Sequence, residues 1–355
     1  MQNEVRTTLA AKVPLKKGEY VRNLLRDLGA IDMDLAPAVE EEYLLVPILD
    51  PRKLEKNTEL RSLELVERGL SVRHRRPRSV KEALLRELQP DIVGQITKSF
   101  DIIGDVAIIS TKGSTSRYRE NVVNALHSVH PNIRLILAKV SPVSGVERVA
   151  SYERWYGSGK PETLHREHGC VYSLDVTKVF FTPRLSTERK RVACLVEPNE
   201  TVCDLFAGVG PFSVLIAKLQ PSSRVKACDI SPEAVTYLKR NIRLNGIFDR
   251  VEIFQGDAAQ VSHEFLRGLC DRVVMNLPKQ AELYLPAATE VLKSSGGTIH
   301  LYLFRRAPQT FEEKISLLTA ELESLGWRKV EVLYHKRVRE IGPREFNEVA
   351  DIKVT

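Results

Sequence analysis

Apolar positions change period along this chain, and the changes divide it. Val21, Leu24, Leu25 and Leu28 recur at helical spacing, which predicts a helix over Lys17–Leu28 closed by Gly29. Strand-like runs flank it at Lys12–Leu15 and Glu42–Leu49, so residues 12–49 read as a small α/β unit. Further runs at Ile102–Ile109 and Ile133–Val140, with a helix over Ser116–Val129 between them, predict a second unit. From about residue 166 the two periods alternate. Strands are predicted at Thr201–Leu205, Arg224–Ile230, Val251–Gln255, Arg272–Met275, Thr298–Phe304, Val330–Arg337 and Asn347–Lys353. Helices are predicted at Pro211–Lys218, Pro232–Asn245, Ala281–Val291 and Gln309–Leu325. Such alternation means a parallel sheet covered on both faces. The last two strands leave no room for a helix between them and predict an antiparallel hairpin.

The resulting fold class is α/β. A C-terminal Rossmann-type class I methyltransferase domain, with a mostly parallel seven-stranded sheet and an antiparallel terminal hairpin, follows two small α/β domains. The expected boundaries are 1–70 for the first domain, 71–80 for a basic linker, 81–165 for the middle domain and 166–355 for the last. The linker rests on Ser71-Val-Arg-His-Arg-Arg-Pro-Arg-Ser79; between Ser71 and Pro90 there are six Lys/Arg against two Asp/Glu. A solvated charge run is the ordinary reading of such a stretch, and phosphate contact the functional one.

Composition narrows the classes. The 355 residues are 43% hydrophobic and 28% charged, enough for packed cores in two or three domains. The longest uncharged apolar run, Leu205–Ala217, is 13 residues and holds glycines and a proline, so no membrane span is expected. Glu4 and Arg6 stand where a secretory signal would be apolar. The net charge of +7 has the sign that suits an anionic partner such as nucleic acid, though ordinary solubility charge would give the same figure. Five cysteines, with no C-x-x-C among them, read as reduced thiols without a metal site, the profile of a cytoplasmic protein.

The strongest motif is Asp204-Leu-Phe-Ala-Gly208-Val-Gly210-Pro-Phe-Ser213, at the first strand–helix turn of the C-terminal domain. Gly208 and Gly210 allow a tight turn and close approach of a ligand to backbone. Phe206 lies within the turn. Asp229 ends the next strand and can hold both hydroxyls of a ribose, with Ile230 beside it. Asp257 and Ala258, after the third strand, can face an adenine edge. A dinucleotide would want a third glycine where Ser213 stands and an open helix start where Pro211 stands. Acids near the turn repel pyrophosphate and suit a cationic cofactor. S-adenosylmethionine fits these features and NAD does not.

Asn276-Leu-Pro278-Lys279 ends the fourth strand and can present an amide oxygen and a carbonyl to a base edge. An aromatic would be expected after the proline for exocyclic amine methylation; Lys279 is there instead. Upstream, Arg184, Arg189, Lys190 and Arg191 surround Glu188 in the run Lys178–Arg191. By itself Glu188 reads as an acid in a first helical turn, with Ser186 or Thr187 as the cap. Within the arginine cluster it also offers a proton acceptor beside phosphate contacts.

Together, Lys178–Arg191, Asp204–Phe212, Asn276-Leu-Pro278 and Pro343-Arg-Glu-Phe346 resemble the archaeal/eukaryotic-type tRNA (guanine-37 N1)-methyltransferase family. The resemblance spans all three domains; the first 70 residues match only in general pattern. It implies methyl transfer from S-adenosylmethionine to N1 of guanine 37 by a monomer with no obligate protein partner. It also implies a first domain docked on the outer corner of tRNA and two further domains on the anticodon stem-loop. By the same resemblance Glu188 is the general base, Arg148 of Gly145-Val-Glu-Arg148 holds O6, and Asn276 and Pro278 fix the base edge. Arg184, Arg189, Lys279 and Arg344 contact the RNA. Phe180 stands where the family usually has Tyr; it keeps a ring against the cofactor and loses a hydroxyl. The nearest alternatives are a wyosine-pathway aminocarboxypropyl transferase, a bifunctional enzyme that also methylates a wyosine intermediate, and a tRNA-binding protein without catalysis. Pro211-Phe212 and Asn276-Leu-Pro278 favour methyl transfer.

Overall fold

The structure, a computed structural model, describes residues 4–73, 76–96, 99–111, 114–141 and 150–355. The chain forms two compact units, Met1–Ser79 and Val80–Thr355.

In the first unit an antiparallel sheet orders its strands Ala38–Glu40, Tyr43–Pro47, Val5–Pro14 and Glu64–Ser71. Helix Gly18–Asp27 lays Val21 and Leu25 against Ala11, Val13, Val46 and Ile48. Val5–Pro14 is much longer than the run expected at Lys12–Leu15, because it is paired along one side by Glu64–Ser71. That edge strand is mostly exposed, so its polar sequence carries no strand signal.

The second unit begins with short helices and a four-stranded sheet, ordered Phe100–Ile103, Val106–Ser110, Leu135–Lys139 and Tyr152–Tyr156. The run expected as one strand over Ile102–Ile109 is instead a hairpin. Gly104, at φ +59°, and Asp105 form its two-residue turn, a Gly-Asp pair that apolar neighbours on both sides conceal. A second hairpin, Glu162–Glu167 with Cys170–Asp175, comes next. Its Tyr172 and Leu174 share one apolar cluster with Ile103 and Val106 of the four-stranded sheet and Phe212 and Ile216 beyond.

The large sheet contains β1 (Thr201–Asp204), β2 (Arg224–Asp229), β3 (Val251–Gln255), β4 (Arg272–Met275), β5 (Gly297–Arg306), β6 (Val330–Gly342) and β7 (Glu345–Val354). Its order is β3-β2-β1-β4-β5-β7-β6, parallel through β5 and antiparallel for β7 and β6. The reversal on either side of β1 leaves a crevice at the carboxyl ends of β1 and β4, where open α/β sheets bind ligands. Apolar layers cover both faces, one around Phe212, Leu215 and Leu238, the other around Leu285, Leu301 and Leu318. β1, β4, β5 and β7 are buried on both faces, as continuous apolar runs require, whereas β6 at the sheet edge is largely exposed.

Candidate functional site

The turn after β1 builds the first wall. Gly210 is the N-cap of helix Pro211–Leu219 at φ +87°, and a Cβ there would lie 2.4 Å from Leu238. Gly208, at φ +57°, differs: a Cβ there would meet nothing. One glycine is needed for packing, the other leaves space in front of the backbone. That space is a cavity of about 630 Å³, within the range of small-molecule sites.

Phe180, Phe206, Gly208, Pro211, Asp229, Ile230, Asp257, Ala258 and Asn276, all expected at the cofactor, line it. Asp204 and Gly210 stand behind the lining. Asp204 is fully buried, accepts from Ser213 Oγ at 2.6 Å on one oxygen, and has no hydrogen-bond partner among the described residues on the other. Burial, with the charge of Asp229, pushes its carboxyl up to about 7. Asp229 is also raised, chiefly by burial, against hydrogen bonds from Ser231 and Gly208 N–H at 2.9 and 2.6 Å. Asp257 caps helix Ala258–Val261 through one oxygen and receives the Tyr284 hydroxyl at 3.3 Å on the other.

Tyr284 also lines the cavity and meets Phe206 edge-on at 5.1 Å. Its sequence position, early in an expected helix, gave no sign of this. Two acids, Asp229 and Asp257, and four aromatic rings, Phe180, Phe181, Phe206 and Tyr284, around open space suit a cationic, ring-bearing ligand. The open side of Gly208 and the two lining acids fit S-adenosylmethionine, whose adenosine Asp229 and Asp257 would hold.

A second cavity, of about 350 Å³, shares Val179, Phe180, Phe181 and Thr182 with the first. The Asn276–Lys279 turn joins them: Asn276 and Leu277 line one, Pro278 and Lys279 the other. The Asn276 side chain has no hydrogen bond to a described residue. Lys279 lies over the Phe304 ring at 5.6 Å. The described charges in the second lining are Lys139, Arg184, Lys279 and Arg339 against Asp101 alone. Size alone does not mark the site, since an open hollow of about 800 Å³ around Glu162–Arg166 contains none of the motifs.

Other expected residues lie differently. Arg184 is exposed, but Asp101 and Ser99 hold its guanidinium at 2.6 and 3.0 Å. Arg189, expected at phosphate, is 2% exposed; it is bound to Glu167 at 2.7 Å and donates to the Thr182 carbonyl, in the wall of the first cavity. Arg344 is exposed at the β6–β7 turn. Arg148 lies outside the described residues.

Glu188 lines neither cavity, although Leu185 and Arg189 of the same segment line the first. It is buried, and its Oε2 accepts from Arg191 Nε at 2.8 Å and the Tyr302 hydroxyl at 3.4 Å. Its Oε1 accepts no hydrogen bond from a described residue and has Lys336 at 4.0 Å. Arg191 continues to Asp351, which His300 Nδ1 meets at 2.7 Å. Arg272 donates to His300 Nε2 at 2.9 Å and binds Glu200 beyond. Since His300 Nε2 accepts, Nδ1 carries the proton and the ring is neutral, in line with the downward shift that burial imposes. Arg191 and His300 hold Asp351 down at about 2 against its burial.

The chain as a whole is similar to known proteins. The TRM5/TYW2 methyltransferase domain matches residues 163–333, the TYW2 N-terminal domain residues 80–160 and the tRNA methyltransferase 5 N-terminal domain residues 10–54. The tRNA (guanine(37)-N(1))-methyltransferase Trm5b of Pyrococcus abyssi is 38% identical, covering 98% of this chain and 99% of its own. Trm5b of Methanocaldococcus jannaschii is 30% identical, covering 98% of each chain. The crystal structure of the Pyrococcus abyssi protein superposes with a TM-score of 0.80 at 36% identity, covering 98% of this chain and 99% of that one. A complex of aTrm5 with tRNALeu also gives 0.80, at 29% identity, covering 98% and 100%. With identity of this degree running the length of the molecule, this chain belongs to the TRM5/TYW2 methyltransferase family.

Proposed function

We infer that the protein transfers a methyl group from S-adenosylmethionine to N1 of guanine 37 in tRNA. The observation that carries this is the shared Asn276–Lys279 turn. It faces an acidic, aromatic cavity on one side and a cationic one on the other. A cationic methyl donor and a nucleotide of a polyanion can therefore meet across one turn. When bound, S-adenosylmethionine supplies an electrophilic methyl group. Asp229 and Asp257 orient it, and Phe180 and Phe206 exclude water from it.

Guanine N1 carries a proton at neutral pH and is a poor nucleophile until that proton leaves. Glu188 takes the role of base. Arg191 and Tyr302 fix one of its oxygens, leaving Oε1 as the open acceptor. Arg148 would hold the charge that develops on O6, and the free amide of Asn276, braced by Pro278, the base edge. The target base must leave its stack to enter, at a cost of a few kcal/mol.

Arg184, Lys279 and Arg344 are offered as the RNA-facing set; Arg189, expected among them, is buried on Glu167 and stiffens the wall of the cofactor cavity instead. The first unit docks on the outer corner of tRNA, and the regions around 81–165 and 166–355 take the anticodon stem-loop. The protein works as a monomer in the cytoplasm without an obligate protein partner. The monomer reading is supported by two cavities lined by one chain. No helix among the described residues is long and apolar enough to cross a membrane.

Labelled cofactor and unmodified tRNA test this reading. Label at N1 of guanine 37 is expected. Label on an exocyclic amine or on protein would overturn it. So would transfer of an aminocarboxypropyl group, the activity named for a relative 30% identical over 71% of the chain.

A further inference from the structure

β6 carries Arg337 and Arg339, two positions apart. On a regular strand they would share one face. They do not. Arg337 pairs with Glu348 of β7 and Arg339 with Asn347, with an irregularity of register between them. Glu348 and Asn347 are neighbours on one strand and therefore face opposite sides. The extra residue, Val338, is a β-bulge that re-aims the rest of the strand. Arg337 stays on the outer face, over the Phe346 ring at 4.2 Å. Arg339 is turned into the second cavity, beside Asn347 and Lys279.

Among the described residues it has no partner there. Its Nε is buried without a hydrogen bond, and no described carboxylate lies within ion-pair distance. Burial first, and then the charge of Arg184, disfavour its cationic form, with only Asp101 opposing. Asp101 is already engaged by Arg184 at 2.6 Å. Arg339 is partly buried, with its Nε fully enclosed; such a cation without a described partner is costly and persists where a ligand completes it. In the described lining Asp101 is taken by Arg184, and Lys279 and Arg339 have no carboxylate partner among the described residues, so the group that would complete the site is an anion.

We propose that Arg339 is a substrate-binding residue that takes a backbone phosphate of the RNA at the target nucleotide, aimed there by the bulge at Val338. This rests on the reading of the second cavity as the entry for the target nucleotide, and names the group that entry grips. A flipped nucleotide draws its flanking phosphodiester toward the pocket mouth, and an arginine with free N–H groups is suited to it.

The test uses full-length protein and an unmodified tRNA transcript. Arg339→Met keeps the apolar stem and removes the charge; Arg339→Lys keeps the charge. Equilibrium tRNA binding is measured across a salt series, cofactor binding by calorimetry and stability by thermal melting. For Arg339→Met, tRNA affinity should fall about tenfold to a hundredfold, and the slope of log affinity against log salt should shrink by about one. Arg339→Lys should restore the slope. The melting midpoint of Arg339→Met should stay level or rise, because a partly buried charge without a described partner has gone. An unchanged salt slope would overturn the proposal. So would a loss seen only in the single-turnover rate at saturating tRNA, which would place Arg339 on the reacting base. A lowered midpoint with weakened cofactor binding would make it a structural arginine and also overturn it. The salt slope reads binding and not the methylated atom, so methylation elsewhere than N1 would refute the function without touching this result.

Discussion

The two cavities are neighbours built on opposite terms. The cofactor cavity takes most of its wall from the β1 turn and the ends of β2, β3 and β4, and its lining acids Asp229 and Asp257 belong to those ends. Its one lining cation, Arg189, is neutralised by Glu167. The second cavity is gathered from six separate stretches: residues 99–110, Lys139, Tyr152, residues 176–184, the turn after β4 and the terminal hairpin. Among the described residues its lining keeps positive charge in excess. A site for a small cation can be made by one local motif and is complete in itself. A site for part of a polyanion is left electrostatically incomplete, and the RNA completes it.

The largest expected effect tests what stands beside both cavities. Glu188→Gln should slow single-turnover methyl transfer by about 10²–10⁴-fold, recovering in part as pH rises and solvent removes the N1 proton. A normal chemical step would move the base elsewhere, since a first-turn acid alone contributes only about 0.3–1 kcal/mol.

The glycines come next, and they should separate. Gly210→Ala forces a left-handed backbone and a clash with Leu238, so unfolding in denaturant should show a loss of about 2–4 kcal/mol. Gly208→Ala meets open space and should cost only about 1–2 kcal/mol. Calorimetry should nevertheless show its cofactor affinity reduced by more than about tenfold, because the methyl group enters the cavity. Equal affinity in wild type and Gly208→Ala would break the assignment of that space to the cofactor.

The third effect is on pH. Asp204 is raised to about 7 in the folded chain. Below its ordinary range it is protonated in both states and costs nothing. Between about pH 4 and 7 the unfolded chain releases the proton first, so stability declines by on the order of 2–4 kcal/mol and then levels. Melting of the cofactor-free protein should show this decline, and Asp204→Asn should flatten it. Asp351, held at about 2, acts in the opposite sense: its contribution is intact above about pH 4 and lost as pH falls toward 2. A variant curve parallel to wild type would remove Asp204 as the cause.

Asp229→Asn should weaken cofactor binding about tenfold to a hundredfold with tRNA affinity unmoved, read by paired titrations. The smallest effect belongs to Lys279→Ala. Its exposed ammonium should contribute less than about 1 kcal/mol to tRNA binding, and nothing to cofactor binding. A large cofactor defect there would show that the two cavities are one.

Much of the cofactor cavity is legible in the order of residues. Gly208, Asp229, Asp257 and Asn276 lie at strand ends whose position the alternating pattern fixes to within a residue or two. Tyr284 is not legible, because its mark is a bond to Asp257, 27 residues away. Arg189 looks like a surface cation among three others, and only its contact with Glu167 distinguishes it. Arg339 carries no signal, since its direction depends on a bulge in the pairing of β6 with β7.

Hydrophobic period and turn chemistry are local, so the sequence alone determined the βα alternation, the antiparallel terminal hairpin and the Asp204–Phe212 turn. It also determined, through residue type and order, the family resemblance. Tertiary structure decided which charges are spent and which are free. Glu188, Arg189 and Arg191 are close together in the chain, yet one keeps an open oxygen, one is closed by Glu167 and one runs into Asp351. Those fates depend on strands up to 160 residues away. A charge is defined by its partners and its burial, and neither is a property of the residues beside it in sequence.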